Sequence, residues 1–576
     1  MGALSSMLKA LLGRGGAAPG SPSASSTAAP PAERLAGAES DFRSGRHAEA
    51  RAACTGLLEV PAHADEALNL LGAVELAAGL PERACEHYDT LLERQPAEAR
   101  FVANAAEAWR RRGDMQRALD IALRAIALDP VRAGPHFVAA QACDALARPM
   151  EAVAHFRRHI ELKPDAASAH SGLLSLLLRL PVDDAEVAAE HLRWGRMHAD
   201  PLGGGRPPAV PAGAGARRLR LGYVSADFCR HAVGEFIEPV LEAHDRARFE
   251  VHAFSSGTVV DDLGARLRAQ CEVWHDLRGL DDARAAQAMR DAGMDLLVDL
   301  SGHTRGNRLL AFARRPAPVQ LTWMGYLGST GMVAMNGRIT DAVSDPPGST
   351  ELLHSERLMR LPHAAWCYRA PQQERGTAAP PRAAGPLVFG SFNSFFKLND
   401  AVLDNWAALL CELPEARLRV LGVPGKAQRD WLLARLAAGG VDTSRIDTAG
   451  RLAYAPYLRA LASCDIALDP HPQGGATTTC DSLWMGLPVV TRAGRRSASR
   501  ASASILSTIG LGDLVADSDQ AYRDIAARLA DDAPGLARLR AGLRARMLAT
   551  PLMQPQVFVR NLEALYERAW AERSAA

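Results

Sequence analysis

Prolines at positions 61, 96, 130 and 164 fall 35, 34 and 34 residues apart, and each closes a similar phrase: "TGLLEVP", "DTLLERQP", "RAIALDP" and "RHIELKP". Counting back from them, Gly37, Gly72, Ala106 and Ala140 share one register, and Ala84, Ala118 and Ala152 share another. Gly45, Gly79 and Gly113 mark a further matched position. Small residues at a fixed period let helices cross closely, and a glycine between them lets the chain reverse. Chance periodicity in an alanine-rich helical region does not easily place four prolines and three glycines in step.

A 34-residue period of this kind is the signature of tetratricopeptide repeats, pairs of antiparallel helices stacked into an α-solenoid. The reading assigns residues 34–200 to such a solenoid, preceded by a disordered Ala/Pro/Ser tail over 1–33. "PLGGGRPPAVPAGAGARR" then reads as a linker over 201–217. A solenoid presents a surface to peptides or proteins, so it predicts a partner and names no reaction. The 576 residues exceed what one core supports. A net charge of +1 gives no sign of a nucleic-acid or anionic-membrane partner. No apolar run approaches the ~20 residues that span a bilayer. Nine cysteines without a CxxC pair argue for reduced thiols and a cytoplasmic setting.

After the linker the pattern changes to short apolar runs alternating with helical spacing. "RLRLGYVS", "FEVHAFSS", "DLLVDLSG", "VQLTWMGY" and "GRITDAVS" form one set of strands; "LVFGSFN", "ARLRVLG", "RIDTAG", "DIALDP" and "PVVTRAG" form a second. Two doubly wound parallel sheets follow, over 218–384 and 385–555, with a closing helix over 556–576. Ligands on such sheets sit beyond the C-terminal ends of strands. In "HPQGGATTTCDSLWMGLPVV" the Gly474-Gly475 turn leads into a helix mouth at Thr477–Thr479, where unpaired N–H groups and the helix dipole favour a phosphate. The bland alternative is an ordinary threonine cap. Asp227 and His231 follow the first strand, His303 follows "DLLVDLSG", and Asn393 and Lys397 follow "LVFGSFN". Lysine occurs only at 9, 163, 397 and 426 among 66 basic residues, a bias that points to a GC-rich, bacterial coding genome and makes Lys397 conspicuous. A compact cation with movable donors suits a diphosphate.

Repeats followed by "GYVSADF", "RPAPVQLTWMGYLGSTG", "ITDAVSDP", "FGSFNSFFKLND" and "GGATTTCDSLWMGLPVVTRAG" resemble the O-linked N-acetylglucosamine transferase and Spindly family. The resemblance covers the solenoid and nearly all of 218–570. It implies a GT-B fold, two Rossmann-like lobes with a cleft between them. It also implies inverting, metal-independent transfer of N-acetylglucosamine from UDP-N-acetylglucosamine to Ser or Thr of intracellular proteins, with no cofactor. Lys397 matches the lysine on the donor diphosphate, and Thr477 and Thr478 match the threonines that receive the phosphates. Asp481 matches the acidic residue near the ribose, and Tyr457 falls where a ring lies near the uracil. Asn393 shares the donor loop, and Gly328 and Ser329 match the loop beside the sugar. His231 matches a histidine considered as base or positioner, since imidazole titrates near neutrality. A donor phosphate oxygen or a water relay could take the proton instead.

Gly475-Ala476-Thr477-Thr478 stands where animal members read Gly-His-Thr-Thr, and the wording is closer to Spindly-type members, which use GDP-fucose. Two alternatives therefore stay open: a protein O-fucosyltransferase, and a nucleotide-binding repeat scaffold without transfer. Asn104 is at most a single remnant of the family's asparagine ladder. "DSD" at 517–519 fits a metal-binding pattern and reads here as a solvated turn. The expected partners are a nucleotide sugar and a protein or peptide acceptor, with no nucleic acid and no membrane.

Overall fold

Alanine-rich segments punctuated by proline at helix starts fold into successive helical pairs. These are Pro31–Arg43 with His47–Thr55, Pro61–Ala77 with Pro81–Arg94, Ala99–Arg112 with Met115–Leu128, and Ala133–Ala145 with Pro149–Leu162. The computed structural model describes residues 29–203, 208, 217–371 and 385–575. Most of the expected tail, most of the expected linker and residues 372–384 lie outside them. The chain forms two compact units, Met1–Leu173 and Leu174–Ala576.

Within the first unit the small residues do what their spacing implies. Ala84, Ala106, Ala118, Ala140 and Ala152 are fully buried at helix crossings. A Cβ on Gly72 would come within 2.5 Å of the Tyr88 ring. Gly37 has open space, so its match to that register carries no packing need. Asn104 donates to Asn69 Oδ1 at 2.7 Å with both side chains buried, so Asn104 has a companion on the preceding pair. Gly45, Gly79 and Gly113 take φ of 78°, 77° and 95°, and Ala147 holds the same place in the fourth pair at φ 60°.

The second unit carries two all-parallel sheets. Strands β1 (Leu219–Ser225), β2 (Phe249–Ser255), β3 (Val273–Asp276), β4 (Leu296–Asp299), β5 (Val319–Thr322), β6 (Gly337–Asp341) and β7 (Arg357–Leu361) pair in the order β3-β2-β1-β4-β5-β6-β7. Strands β8 (Val388–Ser391), β9 (Arg417–Leu421), β10 (Ile446–Ala449), β11 (Ile466–Leu468), β12 (Val489–Arg492) and β13 (Val515–Ala516) pair as β10-β9-β8-β11-β12-β13. Both orders reverse direction beside their first strand, between β1 and β4 and between β8 and β11. Such a switch point leaves a crevice at the strand C-termini. The helix Pro555–Ala575 returns to the first lobe: Glu563 accepts from His244 Nδ1 at 2.9 Å, and the Tyr566 and Tyr223 hydroxyls meet at 3.1 Å.

The second compact unit begins at Leu174, ahead of the expected linker at 201–217. Residues 174–202 pack with the α/β part because buried polar and backbone contacts hold them there. His191 Nε2 meets the Tyr326 hydroxyl at 2.7 Å, and a Cβ on Gly195 would overlap the Gly331 carbonyl. Three strands, β3, β7 and β13, were not expected from the sequence. In the "DSD" segment, Ser518 caps the helix Asp519–Asp531, and Asp519 pairs with Arg492 at 2.7 Å.

An alanine in the left-handed region costs roughly 1–2 kcal/mol, partly offset in glycine by its greater unfolded-state freedom. Ala147→Gly is expected to raise the unfolding free energy by about 0.5–1 kcal/mol. Urea unfolding that shows a loss would contradict a strained alanine at this turn.

Candidate functional site

At the switch point of the second sheet, the loop after β8 and the loop after β11 are joined by side chains that are themselves saturated. Asp469, 3% exposed just past β11, accepts Asn393 Nδ2 at 3.0 Å and the Gly475 N–H at 2.9 Å on Oδ1, and Thr491 Oγ1 at 2.7 Å on Oδ2. Burial raises its pKa, while Ser502, the Lys397 charge and these hydrogen bonds oppose the rise. Asn393 Oδ1 in turn accepts Lys397 Nζ at 2.9 Å and Thr478 Oγ1 at 3.1 Å. These partners fix which way the Asn393 amide faces. Asn399 caps the helix Asp400–Glu412 and donates to the His471 carbonyl at 2.9 Å, a further stitch between the same loops.

Lys397 ends a short turn, Phe395–Lys397, and also donates to the Gly474 carbonyl at 2.6 Å. Desolvation lowers its pKa to about 8, with Asp469 opposing and Arg179 assisting. The ammonium therefore remains mostly charged at neutral pH with no dedicated salt bridge among the described residues. A buried cation held mainly by neutral acceptors has charge to offer an anion.

The helix Thr477–Trp484 begins at Ala476, which supplies no side-chain cap. The threonines are thus not spent as caps. Thr478 bonds Asn393, Thr479 Oγ1 lies 2.8 Å from Ser502 Oγ, and Thr477 Oγ1 is enclosed with no hydrogen-bond partner among the described residues. An orphaned buried hydroxyl at a helix N-terminus fits a phosphate oxygen. The two glycines are required by crowding: a Cβ on Gly474 would lie 2.6 Å from Asp469 Oδ2, and one on Gly475 2.3 Å from Thr478 Oγ1. A recess lined by Phe392, Asn393, Asp469, Thr478 and Ser482 lies here.

About one helical turn after Thr477 in the same helix, Asp481 is 2% exposed and accepts the Tyr368 hydroxyl at 2.7 Å. Burial pushes its carboxyl up to about 7, against the hydrogen bonds of its tyrosines. Tyr457 lies on the helix Tyr454–Ala462, stacked with Tyr454 at 6.0 Å and edge-on to Phe392 at 6.3 Å. Burial and the Asp481 carboxylate raise its phenol well above the ordinary range.

At the first sheet's switch point His231 caps the helix Ala232–Ala243. Its Nδ1 accepts the Val233 N–H at 3.4 Å, and Asp227 lies 3.8 Å away. Since Nδ1 is the acceptor, the neutral ring carries its proton on Nε2. The side chain is 48% exposed. Burial raises the Asp227 carboxyl, with the His231 charge opposing.

His303, Gly328 and Ser329 gather in a separate cluster under the helix Asp184–Trp194. His303 is 2% exposed, edge-on to Trp194 at 4.7 Å, with Nε2 3.1 Å from the Thr330 carbonyl. Gly328 passes close to Tyr326 and His191. Ser329 Oγ donates to Glu356 at 2.8 Å, and Glu356 also holds Thr330, so the loop is fixed by one buried carboxylate. Asp469, Glu356 and Tyr368 are the site residues sequence reasoning missed. Only Asp469 left a trace, as the acidic residue that ends "DIALDP".

The sequence pattern of glycosyl transferase family 41 matches residues 209–368 and 378–562. A protein of Oryza sativa subsp. japonica described as "Probable UDP-N-acetylglucosamine--peptide N-acetylglucosaminyltransferase SPINDLY" is 35% identical over 429 residues, 72% of this chain and 46% of its own length. Its namesake from Petunia hybrida is 39% identical over 363 residues, 62% and 39% of the two chains. The solved structure of a mutant Thermobaculum terrenum O-GlcNAc transferase superposes with a TM-score of 0.81 at 35% identity, covering 89% of this chain and 98% of that one. The chain spans less than half the length of these curated relatives.

Gly475→Ala forces the Thr478 and Thr479 hydroxyls apart. The expected result is inorganic pyrophosphate binding weakened about tenfold or more, roughly the 1.4 kcal/mol of one lost positioned contact. Calorimetry that returned wild-type affinity would show that these hydroxyls do not form the anion site.

Proposed function

From the premise that the chain belongs to glycosyl transferase family 41, we propose that it transfers N-acetylglucosamine from UDP-N-acetylglucosamine to Ser or Thr hydroxyls of proteins. The observation that carries this reading is the Thr477 hydroxyl, enclosed and without a hydrogen-bond partner among the described residues, at the start of a helix whose preceding Gly474 turn holds the buried Lys397 ammonium. In this reading the acceptor oxygen bonds to the sugar's anomeric carbon as the bond to the β-phosphate oxygen breaks, with inversion. UDP leaves with the bonding electron pair. Lys397, Thr477, Thr478 and the helix-mouth N–H groups take up the charge that gathers on the departing diphosphate. No metal ion is needed for that task when an ammonium and a helix mouth do it.

Asp481 and Tyr457 are assigned to the nucleoside end, where a carboxylate can accept ribose hydroxyls and a ring can stack on the base. Gly328, Ser329 and His303 are assigned to the sugar side. His231, a half-exposed ring whose Nδ1 is taken by the Val233 N–H, is a positioning donor through Nε2 toward the acceptor or sugar, and the acceptor's proton goes to a phosphate oxygen or water. The acceptor is a protein or peptide presented by the repeat solenoid. No helix among the described residues is long and apolar enough to cross a membrane. The nine cysteines are all unpaired, which suits a reducing, cytoplasmic setting. Ala476, which leaves the helix start bare, is the departure that favours GDP-fucose as the alternative donor. Thermal-shift titration with UDP, UDP-N-acetylglucosamine, GDP and GDP-fucose decides between them.

Lys397→Ala is expected to lower transfer by about 10²–10³-fold with unchanged melting behaviour. A wild-type rate in that variant would mean the diphosphate lies elsewhere. His231→Ala is expected to cost less than the ~10²–10⁴-fold typical of a lost general base; a larger loss would restore the base assignment. The pH dependence has a definite sign. Lys397 is charged below about 8 and neutral above it, and a bound diphosphate favours the charged form. UDP affinity should hold between pH 7 and 8 and then fall toward about tenfold per pH unit. A flat profile to pH 9.5 would contradict the role of this ammonium.

A further inference from the structure

The connector that leaves the first sheet after β7 is tied to both lobes before it enters the second. The Ala364 N–H donates to Thr508 Oγ1 at 3.1 Å, the Ala365 N–H to Asp341 Oδ2 at 3.2 Å, and the Tyr368 N–H to the Leu552 carbonyl at 2.7 Å. The Ala365 carbonyl accepts Trp323 Nε1 at 3.0 Å. On the far side of Tyr368, Arg369 pairs with Glu238 at 3.8 Å and with Glu242, both on the helix Ala232–Ala243. Tyr368 is therefore gripped through its own backbone and on both flanks, and it is 4% exposed. Its hydroxyl donates to Asp481 Oδ1 at 2.7 Å. A group held this firmly fixes the direction of what it bonds.

Asp481 stands four residues after Thr477 in one helix, so the two side chains share a face about one turn, ~5.4 Å, apart. In a nucleotide whose diphosphate lies at Thr477, the ribose hydroxyls are the next polar groups along the molecule. A hydroxyl donates best to an ionised carboxylate. Burial pushes the Asp481 carboxyl up to about 7, so at neutral pH its ionised form depends on donors such as Tyr368. A carboxylate turned by a bond to one oxygen also presents its second oxygen in a set direction.

We propose that Tyr368 is a positioning residue for ribose recognition: its hydroxyl turns the Asp481 carboxylate so that the second oxygen accepts a ribose hydroxyl of the nucleotide. The proposal rests on the donor-site reading above. It places part of nucleoside recognition in the connector between the lobes, outside both sheets.

The test is calorimetric titration of UDP, 2′-deoxy-UDP and 3′-deoxy-UDP into the full chain at pH 7.5. The proteins are wild type, Tyr368→Phe, Asp481→Asn and Lys397→Met, with melting of each unliganded protein measured alongside. Wild type is expected to bind UDP about tenfold more tightly than one of the two deoxy analogues, the contribution of one hydrogen bond to a charged acceptor. In Tyr368→Phe that preference should shrink to about twofold, while the affinity for the same deoxy analogue stays near wild type. A merely structural tyrosine would weaken all three ligands alike. An unchanged ratio in Tyr368→Phe, whatever the absolute affinities, overturns the proposal. Should Tyr368→Phe not fold, Asp481→Asn is read in its place, and a wild-type ratio there overturns it equally. A wild type that binds UDP without distinguishing it from either analogue overturns the proposal and leaves the diphosphate reading standing. A wild type that does not bind UDP, or whose UDP affinity Lys397→Met leaves unchanged, brings down the donor-site reading itself and this inference with it.

Discussion

Asp469 is a carboxylate with almost no contact with water, set at the end of β11 where the second sheet reverses its strand order. An ionised carboxyl there costs several kcal/mol unless donors surround it. The donors it gathers are an amide from the loop after β8, a backbone N–H from the Gly474-Gly475 turn and a threonine hydroxyl from β12. Meeting that demand brings three chain segments into register. Asn393, once turned toward Asp469, can present only its oxygen to Lys397 and Thr478. The orientation of the ammonium and of the helix mouth is therefore a consequence of satisfying one buried charge. Glycine at 474 and 475 is part of the same solution, since any Cβ would enter the space these groups occupy.

The two lobes are joined by the same device, a buried polar group with partners on both sides. Asp345, from the first lobe, accepts His354 Nε2 at 3.0 Å and Ser497 Oγ from the second at 2.5 Å. Burial would raise its carboxyl, but His354, Arg338 and Ser497 hold it well below the usual range. Arg500 donates across the same junction to the Val343 carbonyl, and the Tyr368 hydroxyl reaches Asp481. Such networks are intolerant of partial disruption, because each lost partner leaves a buried charge or dipole exposed to nothing. They keep the crevice walls in fixed relation, which the proposed transfer between two bound molecules would require.

The repeat region was legible because its signals are local and repeated: proline at or just before the start of each new pair, glycine at reversals and alanine at crossings. Ala147 escaped notice because the residue type does not announce the backbone it adopts. The central strands were legible as apolar runs such as "LLVDL" and "DIAL". β3 and β7 were not, because edge strands are half exposed and lack a continuous apolar face, and β13 has only two residues. The Gly/Pro-rich stretch and the start of the second compact unit do not coincide, for a physical reason. Composition marks where a chain can bend, whereas the contacts of His191, Gly195 and Arg496 decide what it packs against. In the site, Lys397, Asn393, Gly474, Gly475, Thr477 and Thr478 stood out by rarity or by position at strand ends. Glu356 and Tyr368 did not, because their roles come from long-range contacts that no local pattern encodes.

The central claim is that a nucleotide's diphosphate lies at the mouth of the helix Thr477–Trp484, opposite Lys397. A crystal structure of this chain with UDP bound tests it directly. The account predicts β-phosphate oxygens within hydrogen-bond distance of both Lys397 Nζ and Thr477 Oγ1, with the ammonium released from the Gly474 carbonyl. A diphosphate seated anywhere else, with the Thr477 hydroxyl still lacking a partner, would contradict it.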